Sequence, residues 1–268
     1  MASIEKSPLI FGGDQSIPPG EPMSMGQHML DRGAQMLQSL KPIKKMSQHV
    51  YTFAIYSHDI SRQIETHHYI SKINRDFLQC AVYDTDDSNG VEYIVSDEIF
   101  KSLPPEEQKL WHSHANEVQP FLSFFLMVAK FKTSYRFKKW DVKSRLLVHP
   151  KVSEMLVKSE LENLAKTYGK FWCTWQTDRG DRLPLGTPAL MMSPQDAKLG
   201  MISPKLVEKR GVKFNILTDA TKESRVEIAE PESINPQADY WKQHRKASTA
   251  AFANALYLTS IEDLEIDF

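Results

Sequence analysis

Asp59-Ile-Ser-Arg-Gln-Ile-Glu-Thr-His-His-Tyr-Ile-Ser-Lys-Ile-Asn-Arg-Asp-Phe-Leu-Gln-Cys80 decides how the rest of the chain is read. The stretch contains no Gly or Pro, and its apolar residues recur at helical spacing. Placed at roughly 100° per residue, Ile60, Ile64, Ile70, Ile73, Phe77 and Leu78 fall on one side, which predicts an amphipathic helix. Gln63, His67, Ser71 and Asn74 fall inside that apolar arc, whereas Glu65 and Lys72 point away. A polar stripe on a buried face needs hydrogen-bond partners or a ligand, because an unsatisfied buried polar group costs roughly 1–3 kcal/mol. The stripe is therefore a candidate small-molecule site made of Gln63, His67, Ser71 and Asn74.

On either side of this segment the pattern changes. Val50 to Tyr56 is rich in β-branched and aromatic residues and reads as a strand. Gln79 to Tyr83 and Val91 to Val95 read as two strands of a hairpin across the turn 84–90. Short helices are expected at 96–103 and from Pro104 to Trp111, where proline and acids mark a helix start. A helix is expected at 159–168, ending at Gly169, and a buried strand at 171–177. Met29 to Leu40 suits a short helix before Pro42, and 184–192 reads as irregular. Residues 1–27, with four of the 15 prolines, read as a mobile arm. The expectation is an α+β fold, a single domain over 28–245 with a mostly antiparallel sheet packed by helices, followed by a tail at 246–268.

Composition excludes several classes. With 33 Lys+Arg against 34 Asp+Glu, the formal net charge is −1, so no global field favours nucleic acid. Cys80 and Cys173 form neither a disulfide framework nor a CxxC pair, which fits a reducing compartment. The apolar start at Pro8–Phe11 is broken by Gly12-Gly13-Asp14, so no secretory leader is expected and a cytoplasmic location is. The longest apolar run, 121–129, falls well short of the ~20 residues that span a bilayer. Contact with lipid would be peripheral or through a partner. The aromatic and basic stretch 121–142, with Lys130, Lys132, Arg136, Lys138 and Lys139, is one candidate docking surface. Neither a Gly-rich phosphate loop, a serine-nucleophile elbow nor an HExxH motif occurs.

Two histidine groups can carry metal chemistry. In Trp111-His-Ser-His-Ala-Asn-Glu117, an extended backbone puts His112 and His114 on one face with Glu117 close by. Two imidazoles and a carboxylate make three ligands for a divalent cation and leave positions open. The pattern resembles the metal motif of cupin barrels, but it leaves two residues before the glutamate rather than three or four. In Glu65-Thr-His-His68, the helical phase turns His67 inward and leaves His68 at the edge of the arc. The expected centre is His67, His112, His114 and Glu117. The alternative is a set of ordinary hydrogen-bonded histidines. A third cluster, Trp175–Arg182, crowds two acids and two arginines into a turn that their pairing would stabilise.

Seven blocks in order carry a family resemblance. They are Ile55-Tyr-Ser-His-Asp59; Arg62-Gln63 with Glu65-Thr-His-His-Tyr69; Asn74 with Gln79-Cys80; Gly90-Val-Glu-Tyr93; Leu110-Trp-His-Ser-His114 with Glu117-Val118; Tyr168-Gly169-Lys170; and Trp175-Gln176 through Asp178-Arg-Gly-Asp181 to Leu183-Pro-Leu-Gly186. Over roughly residues 27–245 the chain resembles the oil body-associated protein family, long catalogued as a domain of unknown function. The resemblance implies association with lipid droplets of seeds and a contribution to their stability, without established catalysis. Related sequences also occur in fungi and bacteria, and a fungal or other non-seed member is expected. Against the family pattern the loop before Gly90 is short, residues 119–142 look inserted, as either a genuine lipid-docking loop or a translated, unspliced intron would, and the tail after Lys246 has no counterpart. The rival readings are a metal-dependent enzyme acting through the His/His/His/Glu set, and a metal-free small-molecule binder.

Overall fold

The computed structural model describes residues 19–84, 87–115, 146–194, 202–215 and 233–240. The stretch expected to be one helix is two strands. After helices α1 (Met25–Leu37) and α2 (Lys41–Lys44), β1 (Met46–Tyr56) turns at Ser57-His58 into β2 (Asp59–Lys72), and a tight turn over residues 73–76 leads to β3 (Phe77–Asp84). Asn74 makes that turn by accepting the Asp76 N–H on its side chain at 2.8 Å. β2 is hydrogen-bonded along both edges, with Val50 opposite His68 on β1 and Cys80 opposite Ile70 on β3. The helical reading failed because residues 64–68 are buried without a break. A strand covered on both faces shows no alternation of polar and apolar residues.

β4 (Asp87–Ser96) pairs with β3, and helices α3 (Asp97–Ser102) and α4 (Pro105–Gln108) lead to the two-residue β5 (His112–Ser113). After α5 (Glu154–Leu164) come β6 (Thr167–Cys173), a 3₁₀ turn at Thr177–Arg179, β7 (Ala189–Met192) and α6 (Pro204–Phe214). The segment 184–192, expected to be irregular, thus ends in a strand. β6 pairs with β4 over seven residues and with β7, and β7 pairs with β1. The antiparallel sheet therefore closes on itself as a six-stranded barrel, β1-β2-β3-β4-β6-β7, with β5 added to β6 beyond β7. The α+β expectation holds in its coarse form, with the sheet a closed barrel.

Side-chain alternation divides the core in two. Val50, Ala54, Tyr56, Ile64, Ile70, Cys80, Val82, Ile94, Phe171, Cys173, Ala189 and Met191 fill the barrel, joined by Val157, Leu161 and Leu164 of α5. Outside, Phe100, Leu110 and Trp111 cover Val95, Tyr168 and Leu190, while α6, Leu146 and Val148 cover Tyr51, Phe53 and Ile55. At Gly90 the strands approach so closely that a Cβ would lie 2.2 Å from the Trp172 carbonyl oxygen, so the β4–β6 seam requires glycine there. Helix α1 (Met25–Leu37) stands apart. It is closed by a Ser24–Gln27 capping box and buries none of its residues. The expected insertion 119–142, the tail and most of the 1–27 arm lie outside the described residues.

Candidate functional site

The barrel interior is not uniformly apolar. Inner positions of three strands bring His68 (β2), Glu92 (β4) and His112 (β5) together, with His114 just beyond β5, all buried. Glu92 is the hub. Its Oε2 lies 2.8 Å from His68 Nδ1, and its Oε1 lies 3.2 Å from His112 Nε2 and 3.5 Å from His114 Nε2. The two latter rings stand perpendicular, 5.1 Å apart. His68 Nε2 lies 2.9 Å from Thr66 Oγ1, and His114 Nδ1 lies 2.9 Å from Thr167 Oγ1. His112 Nδ1 is buried with no hydrogen-bond partner among the described residues. A cavity of about 20 Å³ adjoins the cluster, lined by Val50, Thr52, Ile70, Ile94, Leu147 and Leu164 as well as His68, Glu92 and His114.

Burial alone would push the Glu92 carboxyl up. The electrostatic pull of His68 and the hydrogen-bonding contacts from His112, His114 and His68 outweigh it and hold Glu92 well below the usual carboxylate range. A fully buried carboxylate kept ionised among imidazoles is a metal-ligand chemistry. Glu92, His112 and His114 offer ligand atoms within 4.8 Å of one another, and so do His68, Cys80 and Glu92. In the second trio burial, reinforced by Glu92, pushes the Cys80 thiol well up, which disfavours the thiolate a metal needs.

The site expected from sequence is partly rearranged. His112 and His114 do meet. His67 does not join them, because on a strand its neighbour His68 is the inward residue. His67 lies on the outer face, its Nδ1 2.9 Å from His49 Nε2, edge-on to Tyr51 and Phe214. Burial, with Lys213 and His49, lowers its pKa to about 4 against the opposing pull of Glu65. Glu117 falls outside the described residues, and the carboxylate at the cluster is Glu92. Its signal was present: in Gly90-Val-Glu-Tyr-Ile-Val95, Glu92 shares the inward face with Ile94, a lone acid at a core position.

The stripe Gln63, Ser71 and Asn74 does not form one site. Eight residues along a strand separate Gln63 from Ser71 by roughly 27 Å. Gln63 accepts from the Ser203 N–H at 3.0 Å, and Asn74 belongs to the hairpin turn. The acid–arginine cluster works across strands as well as locally. Arg62 grips Asp178 with two hydrogen bonds of 2.8 Å, reaches Gln176 at 3.0 Å, and stacks over the Tyr56 ring, whose hydroxyl donates to Asp178 at 2.7 Å. Burial pushes the Asp178 carboxyl up, but Arg62 and Tyr56 together hold it below its ordinary range. Arg179 pairs with Asp181, and Gly180 turns the chain at φ 75°, where a side chain would be strained.

Residues 40–229 match the family described as a protein of unknown function, DUF1264. The chain is 51% identical over 253 residues to oil body-associated protein 2A of Arabidopsis thaliana, covering 92% of this chain and 93% of that one. It is 49% identical over 234 residues to oil body-associated protein 2A of Zea mays, covering 85% and 83%. It is 34% identical over 226 residues to oil body-associated protein 1B of Arabidopsis thaliana, covering 82% and 83%. These relatives are plant proteins and give the expectation of a fungal member no support. No solved structure matches. At this identity and coverage, the chain belongs to the oil body-associated protein family.

Proposed function

We propose that this protein is a peripheral component of the lipid-droplet surface, facing the cytoplasm, and that α1 is the element that docks. The observation that carries the reading is the exposed apolar arc of that helix. Met25, Met29, Leu30, Met36 and Leu37 are 72–89% exposed. At helical spacing they share one side with Gly26 and Gly33, while His28, Asp31, Arg32 and Gln35 share the other. Asp31 and Arg32 offset each other, so attraction to anionic headgroups adds little and insertion of the apolar side dominates. No helix among the described residues is long and apolar enough to cross a membrane. The names of the relatives supply the surface, that of an oil body.

The test is flotation of the purified full chain with triolein droplets coated in phosphatidylcholine. Leu30→Ser/Leu37→Ser removes two side chains that would be about half inserted. At roughly 1.5–3 kcal/mol for full burial of each, the loss is about 1.5–3 kcal/mol, or about 10- to 150-fold in partition. Because α1 buries nothing, the variant keeps the wild-type melting temperature. Wild-type protein that stays in the subnatant, or a variant that floats as well as wild type, refutes the reading.

A further inference from the structure

The hydrogen atoms around His114 place a constraint on the buried cluster. Thr167 has one hydroxyl hydrogen, and it is given to the Leu164 carbonyl at 2.7 Å. At 2.9 Å from His114 Nδ1 the same oxygen must therefore accept, so Nδ1 carries the ring hydrogen. In the neutral ring Nε2 then turns its acceptor side to Glu92 Oε1 at 3.5 Å. Two such acceptors facing each other in a dry interior are joined either by one shared proton, on the ring or on the carboxyl, or by a metal ion. A metal-binding histidine holds its other ring N–H on an outer partner in this way.

The spacing favours the metal. Ligands about 2.1 Å from a tetrahedral ion stand about 3.4 Å from one another. Glu92 Oε1 stands 3.2 and 3.5 Å from the two imidazole nitrogens. The backbone has also kept the meeting point open. A Cβ on Gly169 would come within 2.4 Å of Glu92 Oε1, 2.7 Å of His114 Nε2 and 2.8 Å of His112 Nε2. Gly169 is in regular strand rather than at positive φ, so its backbone does not call for glycine. What calls for glycine is the space over it, on which three donor atoms converge. We propose that Glu92, His112 and His114 bind one divalent first-row transition-metal cation, zinc being the reference ion, inside the barrel.

In this centre His68 is a positioning residue, holding the second carboxylate oxygen at 2.8 Å, and Thr167 fixes the His114 tautomer. Three protein ligands leave the fourth tetrahedral position for water, and the cavity bounded by Thr52, Leu147 and Leu164 is next to it. Two imidazoles and one carboxylate suit zinc, iron(II) and their neighbours rather than calcium or magnesium, which take oxygen ligands. The proposal is independent of droplet docking, since α1 contributes nothing to the cluster.

Because the site is enclosed, the full chain is refolded with and without Zn²⁺, dialysed, and measured for bound metal and melting temperature. Wild type is expected to keep about one zinc per chain and to melt higher with the metal than after chelation. His112→Ala/His114→Ala is expected to keep none and to melt at a temperature zinc does not move. His49→Ala/His67→Ala, which removes two imidazoles from the outer face, is expected to keep its zinc. Thr167→Val leaves all ligands in place and is expected to weaken zinc about 10- to 100-fold. This milder variant decides the matter if the double alanine variant does not fold. Co²⁺ in wild type is expected to show the intense visible bands of a four-coordinate site. Wild type that retains no zinc after refolding overturns the proposal and leaves His114 and Glu92 joined by a shared proton. Zinc retained equally by the inner double variant, or bound with unchanged affinity by Thr167→Val, overturns it too.

Discussion

Gly169→Ala tests the buried cluster through packing alone. The added methyl would meet Glu92 Oε1 at 2.4 Å, His114 Nε2 at 2.7 Å and His112 Nε2 at 2.8 Å. Ordinary contact begins near 3.4 Å, so each atom has to retreat by roughly 0.6–1.0 Å. None can swing into solvent, because Glu92 and His112 are each 3% exposed and His114 is held by Thr167. Overpacking of this kind costs about 1–3 kcal/mol. Stretching the charge-assisted contacts to Glu92 adds about 1.5–3 kcal/mol. The smaller backbone entropy of an unfolded alanine returns about 0.5–1 kcal/mol. The net is about 3 kcal/mol, which in a domain of this size lowers the melting temperature by roughly 6–12 °C. The measurement is urea denaturation and thermal melting at neutral pH with chelator present, so that packing is separated from metal. Gly33→Ala in α1, where nothing lies within 4 Å of the new methyl, is the control and is expected to leave the barrel transition unchanged. A Gly169→Ala variant within about 1 kcal/mol of wild type would show that the three donor atoms do not hold these positions.

Three further outcomes are expected. His67, among His49, His68, Lys213 and Glu65, has a folded pKa of about 4 against 6.5 unfolded, so the unfolded state binds its proton first. The stability from a neutral His67 is whole above pH 6.5 and is lost as pH falls toward 4; in denaturant titrations His67→Asn is expected to flatten that slope by about 2–3 kcal/mol. Asp178→Asn keeps the shape but loses the charge that Arg62 and Tyr56 grip; with its pair about a fifth exposed, a loss of about 1–2 kcal/mol is expected in urea unfolding, and a loss under 0.3 kcal/mol would make the cluster decorative. Excision of 119–142 is expected to leave the melting temperature equal or higher. His114 and Leu147, close to the two ends of the excised stretch, line the same small cavity, so eight remaining residues bridge the gap, and a variant that does not fold would place the stretch in the core.

The strand at 50–56 was legible from its β-branched and aromatic residues although both of its faces are buried, and the hairpin strands around 79–83 and 91–95 were legible as well. The short helices at 97–102 and 105–108 were legible from proline and acids, whereas the helix expected at 159–168 lies at 154–164, with Thr167 and Tyr168 already in β6, and α6 was not foreseen. β2 was not legible, because a barrel wall sandwiched between α5-packed interior and α6-packed exterior buries its odd and even residues alike. Ile60, Ile64, Ile70 and Ile73 then fell at helical spacing by coincidence. The better signal was chemical: Ile64, Thr66, Tyr69 and Ile70 are residues that suit a strand. That single period decided which of two adjacent histidines faces inward. Barrel closure was illegible for a different reason, since the β4–β6 register joins residues about 80 apart, such as Gly90 and Cys173, and carries no local mark.

That long-range register also sets an order of assembly. β1 to β4 follow one another through short turns and can pair while the chain is still being made. Such a meander leaves the outer rows of N–H and C=O groups on β1 and β4 without partners, open to any other extended chain. Val148, β6 and β7, arriving some 50–100 residues later, cap those rows, and non-local pairing of this kind is slow. Glu92 is on the early meander, whereas His112 waits for β6, its pairing partner at Gly169. The four-residue cluster therefore comes into being with the final closing step, and a newly made chain is most vulnerable to aggregation in the interval before it.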